Sequence, residues 1–295
     1  MAIASLSAEK DSLAARIKLL SELGKLRLAL LVILSAAMGF FIADAGFSWS
    51  SLLGLLFGGL LVTGGANALN QVLERSSDAL MERTRHRPLP EMRITPLGAW
   101  AIAFLMIAGG FLLLFFFCNS LTAFLSLLSA MLYTAAYTPL KKFTPIAVFV
   151  GAIPGAMPPL LGWVAARGHI GFEALLLFVL QFFWQFPHFW AIAWRLHDDY
   201  ARAGIYLLPL RGGPSRQNAW IVLLYTLLTV PAALLPYVFG FYGLGSAVLI
   251  ALLGVAYAWP AWRLTQTLDD RYALRLLYAS FLYLPSMQLA WWANF

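Results

Sequence analysis

Steps of three, four and four separate Asn67, Asn70, Glu74 and Asp78 in the segment NALNQVLERSSDALMERTRHRPL, residues 67–89. An α-helix turns about 100° per residue, so these four side chains would share an arc of roughly 80°. Oxygen donors aligned in this way suit Mg2+, a hard cation that keeps some of its waters and shares substrate phosphates. Arg83 and Arg87 follow, and guanidinium forks match phosphate oxygens. Pro88 and Pro90 should end the helical path and let the arginines turn back over the acids. The plainer alternative is a solvated helix end in which Glu74 pairs with a nearby arginine.

A second group lies in QFFWQFPHFWAIAWRLHDDYARAGIYLLPL, residues 181–210. His188, Arg195, Asp199 and Arg202 recur at steps of seven, four and three, one face if the helix runs on past Pro187. Asp199 fits that phase better than Asp198. His188 sits among Phe182, Phe183, Trp184, Phe186 and Phe189, and an ionisable residue inside a membrane usually faces a cavity or a partner. A neutral histidine satisfied by a neighbouring carbonyl is an equally ordinary reading. The aromatics suit a flat apolar substrate or a carbocation shielded by cation–π attraction, although such rings are also common packing. A third group pairs Tyr137 with Lys141, four residues on. Its lysine is placed either to meet an anionic leaving group or simply to snorkel. No Gly-rich phosphate loop, zinc signature or Ser/Cys triad is present, and the single Cys118 excludes an internal disulfide.

The elements that must position these groups are membrane helices. Of 295 residues, 61% are hydrophobic and 11% charged, against about a quarter charged in soluble domains. Apolar runs near the ~20-residue length that crosses a bilayer predict nine spans, at 26–44, 49–73, 98–117, 120–138, 145–166, 172–194, 218–239, 243–262 and 274–293. Residues 1–25 read as a polar, basic cytoplasmic tail without a cleavable signal pattern, and 26–295 as one transmembrane domain. Under this division Arg167 is the one of twenty lysines and arginines that falls in an alternate loop, so the remaining face is cytoplasmic by the positive-inside rule and the C-terminus lies outside. Topology therefore accounts for the basic excess better than nucleic acid does. Asp44 and Glu173 aside, the acids share the cytoplasmic face. The fold class is thus an all-α polytopic bundle around a cavity open to the cytoplasm, with GAIPGAMPPLLGW, residues 151–163, suited to close helix packing.

With these residues assembled, the chain resembles the UbiA superfamily of intramembrane prenyltransferases over approximately residues 25–290, and within it the haem-farnesylating branch. Four blocks carry the resemblance: NALNQVLERSSDALMERTRHRPL, YTPLKKFTP, GAIPGAMPPLLGW and HFWAIAWRLHDDYARAGIYLLPL. Glu74 stands where many members have Asp, Arg195 where the superfamily's second acidic motif has its first acid, and Ala147 where an Asn is expected.

The resemblance implies transfer of a farnesyl group from farnesyl diphosphate to a vinyl group of haem B. Asn70, Glu74, Asp78 and Asp199 would hold Mg2+, and Arg83, Arg87 and Lys141 would meet the diphosphate. Asn67 would orient that shell or join it, Tyr137 and Arg195 would also bind substrate, and His188 and Arg202 would lie toward haem. It further implies a bacterial inner-membrane enzyme serving a downstream haem A synthase or terminal oxidase. Prenyl transfer to an aromatic quinone precursor or chlorophyllide remains open on the residues alone, and so does a transporter. Ionisable groups gathered at one face rather than the midplane weigh against the transporter.

Overall fold

The computed structural model describes residues 13–294, and all regular structure among them is helical. The expected tail is thus described only from Leu13, and residues 1–12 lie outside the described residues. Leu13–Leu23 forms α1, which turns at Gly24 and Lys25 through 61° into α2, Leu26–Ile42. Lys25 has a left-handed backbone at the bend, with φ 50°. The junction is tied down by α3, Trp49–Leu80: Asn67 donates to the Gly24 carbonyl (3.0 Å), and Gln71 to those of Glu22 (2.9 Å) and Leu23 (2.8 Å).

The remaining helices are α4, Pro96–Phe117, α5, Ser120–Met131, α6, Ala147–Arg167, α7, Phe172–Arg195, and α8, His197–Arg202, followed by α9, Arg216–Val238, α10, Leu244–Thr267, and α11, Asp270–Trp292. Polar caps start several of them: Ser48, Thr95, Asn119 and Ser215 each accept an amide proton from the first turn. Seven helices are long and apolar enough to cross a membrane, or eight if the bent pair α1–α2 is one span. The expected ninth span coincides with α11, which is more polar: Arg271, Tyr272, Arg275, Tyr278 and Gln288 punctuate it.

Neighbouring contacts run α2 to α6, α6 to α7, α7 to α11 and α11 back to α2, closing a ring to which α3 and α5 also belong. The α2–α6 approach needs glycine. A Cβ on Gly162 would stand 1.8 Å from the Ala36 carbonyl oxygen, and one on Gly39 would stand 1.9 Å from that of Pro159. The Gly/Pro-rich block therefore packs backbone against backbone, where hydrocarbon-facing helices gain most of their van der Waals contact.

Candidate active site

The ring encloses a cavity of about 790 Å³. Its wall is mainly apolar, with Glu74, Asp78, Arg83, Arg87, Tyr137 and Lys141 at one end and Gln181, His188 and Gln288 along its depth. The α3 helix positions the acids because it continues past its apolar part to Leu80, roughly 48 Å for its 32 residues. It ends at an extended Met81, before Pro88 and Pro90, so the turn begins earlier than the prolines predict.

That turn brings the arginine back. Thr84 Oγ1 donates to the Asp78 carbonyl oxygen at 2.9 Å, and Arg87 Nη1 donates to both Asp78 carboxylate oxygens at 2.9 and 2.7 Å. Asp78 is fully buried, so its charge requires such a partner. One guanidinium nitrogen makes both contacts, and among the described residues the other two have no protein partner.

Glu74, one turn earlier on the stripe, pairs with Lys141, Nζ to Oε1 at 2.5 Å. Burial alone would lower the Lys141 pKa, but Tyr137 and Glu74 outweigh it and hold the ammonium above its ordinary value. The lysine also lies 5.6 Å from the centroid of the Tyr137 ring. This placement depends on a π-helical segment, Leu132–Tyr137, that continues α5. Thr138 Oγ1 donates to the Tyr133 carbonyl (2.8 Å) and accepts from Asn70 Nδ2 (3.0 Å), which locks the widened turn against α3. Single π turns of this kind often mark functional sites.

Asn70 does not line the cavity; its Oδ1 accepts from Lys25 Nζ at 2.9 Å. Asn67 lines the wall while holding Gly24. Lys25, counted in the sequence only as a topological charge, is thus a further amine at the cavity that the spacing argument missed.

The second acidic group arrives differently from its helical prediction. The helix does not run on: α7 stops at Arg195, Leu196 leaves helical geometry, and α8 begins with Asp198 and Asp199 in its first turn. Acids at a helix start and Arg202 at its end suit a separate short helix. The break turns Asp199 to the loop after α3, where Oδ1 accepts from the Glu82 amide at 2.7 Å and Oδ2 from the Arg83 amide at 3.3 Å. Both acidic groups therefore meet at the same end of the bundle. Arg202 lies 3.5 Å from Asp199 and 3.9 Å from Glu82, and Arg83 stacks over Tyr200 at 5.9 Å. Arg195 is exposed, and neither it nor Arg202 lines the cavity.

Among the described residues no cluster of three or more His, Cys, Asp or Glu stands ready to hold a metal. Glu74 and Asp78 nevertheless offer hard oxygens at the cavity, and Mg2+ commonly takes one or two carboxylates plus substrate phosphates. The donor set fits a magnesium ion that arrives with a diphosphate, not one caged by protein alone.

Comparison with known proteins matches residues 32–285 to the UbiA prenyltransferase family. The chain belongs to that family. It is 44% identical over 270 residues to the protoheme IX farnesyltransferase of Cytophaga hutchinsonii, covering 91% of this chain and 94% of that one. The Flavobacterium johnsoniae protoheme IX farnesyltransferase is 43% identical over 276 residues, covering 91% of each. Among solved structures, digeranylgeranylglyceryl phosphate synthase superposes with a TM-score of 0.78 at 18% identity, over 95% of this chain and 98% of that one. The UbiA homologue from Archaeoglobus fulgidus bound to GPP and Mg2+ gives 0.68 at 18%, over 93% and 99%. The UbiA fold, with its apolar spans, makes this chain an integral membrane protein and a prenyltransferase.

Proposed function

We propose that this UbiA-family protein farnesylates haem B, combining it with farnesyl diphosphate and water to give haem O and pyrophosphate. The observation that carries the reading is the pair of buried ion pairs, Asp78–Arg87 and Glu74–Lys141, at the end of an otherwise apolar cavity. Two relatives above 40% identity bear the name protoheme IX farnesyltransferase, which selects haem over other acceptors.

Each residue then has a task. Arg87 and Lys141, with Arg83 beside them, meet the diphosphate oxygens as the allylic C–O bond breaks and charge develops there. Glu74, Asp78 and Asp199 would hold Mg2+, with Asn70 steadying the stripe through Lys25 and Thr138. When bound, the ion adds Lewis-acid charge to the leaving group. Tyr137 and Asn67 shape the wall around the first isoprene unit. The apolar cavity holds the farnesyl tail and excludes bulk water from the cation. A vinyl carbon of haem attacks carbon one of the farnesyl group; hydroxide from water adds to the neighbouring carbon, and the water's remaining proton leaves with pyrophosphate. His188 faces the haem inside the cavity, whereas Arg195 and Arg202 lie outside its lining. The N-terminus and the active end lie on the cytoplasmic side of a bacterial inner membrane, the C-terminus outside, and the product passes to haem A synthase or a terminal oxidase.

The test is purified protein with haem B, farnesyl diphosphate and Mg2+, followed by mass analysis of extracted haem and by pyrophosphate release. Farnesylated, hydrated haem is the expected product. Pyrophosphate release with an aromatic quinone precursor but not with haem would overturn the reading.

A further inference from the structure

The His188 ring is held by α11 in a way that decides which nitrogen carries its proton. Ser280 Oγ donates to the Leu277 carbonyl oxygen at 2.6 Å. A carbonyl only accepts and a serine hydroxyl has one proton, so that proton is committed. His188 Nδ1 lies 2.8 Å from the same Ser280 oxygen. It must therefore be the donor, and the neutral ring carries its hydrogen on Nδ1. Nε2 is left as a bare lone pair.

The ring cannot readily turn away. Trp184 stacks on it at 4.6 Å and 20°, and Phe281 meets it edge-on at 5.0 Å. The Trp184 indole N–H donates to the Ser280 carbonyl at 2.8 Å, which ties the stacking partner to the hydrogen-bonding one. His188 is 9% exposed and lines the cavity. Among the described residues Nε2 has no hydrogen-bond partner. A free imidazole nitrogen on a residue lining an apolar cavity, with its tautomer set by a second residue, is how proteins present imidazole to a metal.

Resting on the haem reading above, we infer that His188 Nε2 ligates the iron of the incoming haem and that Ser280 is the positioning residue that holds it ready. Ligation at a point about 10 Å along α7 from Arg195 fixes the macrocycle's depth in the cavity relative to the diphosphate end. The apolar wall alone offers no such registration.

The experiment titrates the full-length detergent-solubilised protein with ferric haem and, separately, with metal-free protoporphyrin IX. Wild type should give the Soret band of histidine-ligated haem. His188→Ala should weaken iron-haem binding by about ten-fold or more, leave metal-free porphyrin binding unchanged, and regain the ligated spectrum with added imidazole. Ser280→Ala should keep haem but weaken its binding about ten-fold, and Ser280→Thr should restore it. An unchanged Soret band in His188→Ala, or equal losses for haem and metal-free porphyrin, overturns the inference while leaving farnesylation standing. Wild type that binds no haem removes the haem reading and this inference together.

Discussion

Lys141 Nζ stands 2.5 Å from Glu74 Oε1, joining α3 to the turn after α5 through side chains only 10% and 3% exposed. Breaking a buried pair from one side strands the other charge, at a cost of about 3–5 kcal/mol. Glu74→Ala and Lys141→Ala should each lower the melting temperature in detergent. The double change Glu74→Leu with Lys141→Met should regain most of that stability and none of the activity. A double variant that stays as unstable as the singles would show that the pair is not the source of the loss.

The same pair sets a pH expectation. The folded Lys141 pKa lies above its ordinary value, so its contribution to stability is complete below about pH 10 and is lost only as pH rises through the folded value. Pyrophosphate release between neutral pH and about pH 9 should show no Lys141 titration, which a wild-type against Lys141→Arg pH profile would check.

Arg87 uses one nitrogen on Asp78 and keeps two for a ligand. Lysine can satisfy Asp78 as a point charge but cannot also supply the remaining fork. Arg87→Lys should fold like wild type and raise the KM for farnesyl diphosphate by about ten-fold, equivalent to about 1.4 kcal/mol. Steady-state kinetics checks this; an unchanged KM would leave Arg87 as a structural counter-ion to Asp78.

Gly162 bounds the fold side of the argument. Its missing Cβ would overlap the Ala36 carbonyl, a backbone atom that cannot rotate aside. Overpacking of this kind costs about 1–3 kcal/mol. Gly162→Ala should reduce thermal stability in detergent by that order without altering the KM for either substrate in what remains folded. Retained stability would mean that α2 and α6 can separate freely.

How much of this was legible in the sequence differs from residue to residue. Apolar run length placed most helices within a few residues, as at Phe172–Arg195 against 172–194 and Pro96–Phe117 against 98–117, because in hydrocarbon length and polarity nearly decide a helix. The α3 stripe was legible too, since helical spacing is a local property. What hid were features set by partners distant in sequence. The π turn before Lys141 depends on Asn70 holding Thr138, and the tie of α1 to the bundle on Asn67 and Gln71. Ser280, a lone serine in an apolar run, gains meaning only beside His188. Lys25 looked like one more inner-face charge. The break at Leu196 ran against a spacing that suited one continuous helix, and Asp199 reaches the α3 loop because of it.

Asp199 tests whether that loop anchor and metal binding reside in one side chain. Its carboxylate accepts the amides of Glu82 and Arg83 and is 14% exposed. Asparagine would keep one acceptor and turn an amide toward the other N–H, losing a charge-assisted bond worth about 1.5–3 kcal/mol. Asp199→Ala should abolish product while the protein stays in the membrane. Asp199→Asn should retain a fraction of turnover, raise the Mg2+ concentration needed for half-maximal rate, and expose the chain near Arg83 and Arg85 to trypsin. A magnesium titration with limited proteolysis separates the two roles. If the loop becomes cleavable while the magnesium requirement stays at the wild-type value, Asp199 anchors Arg83 and holds no metal.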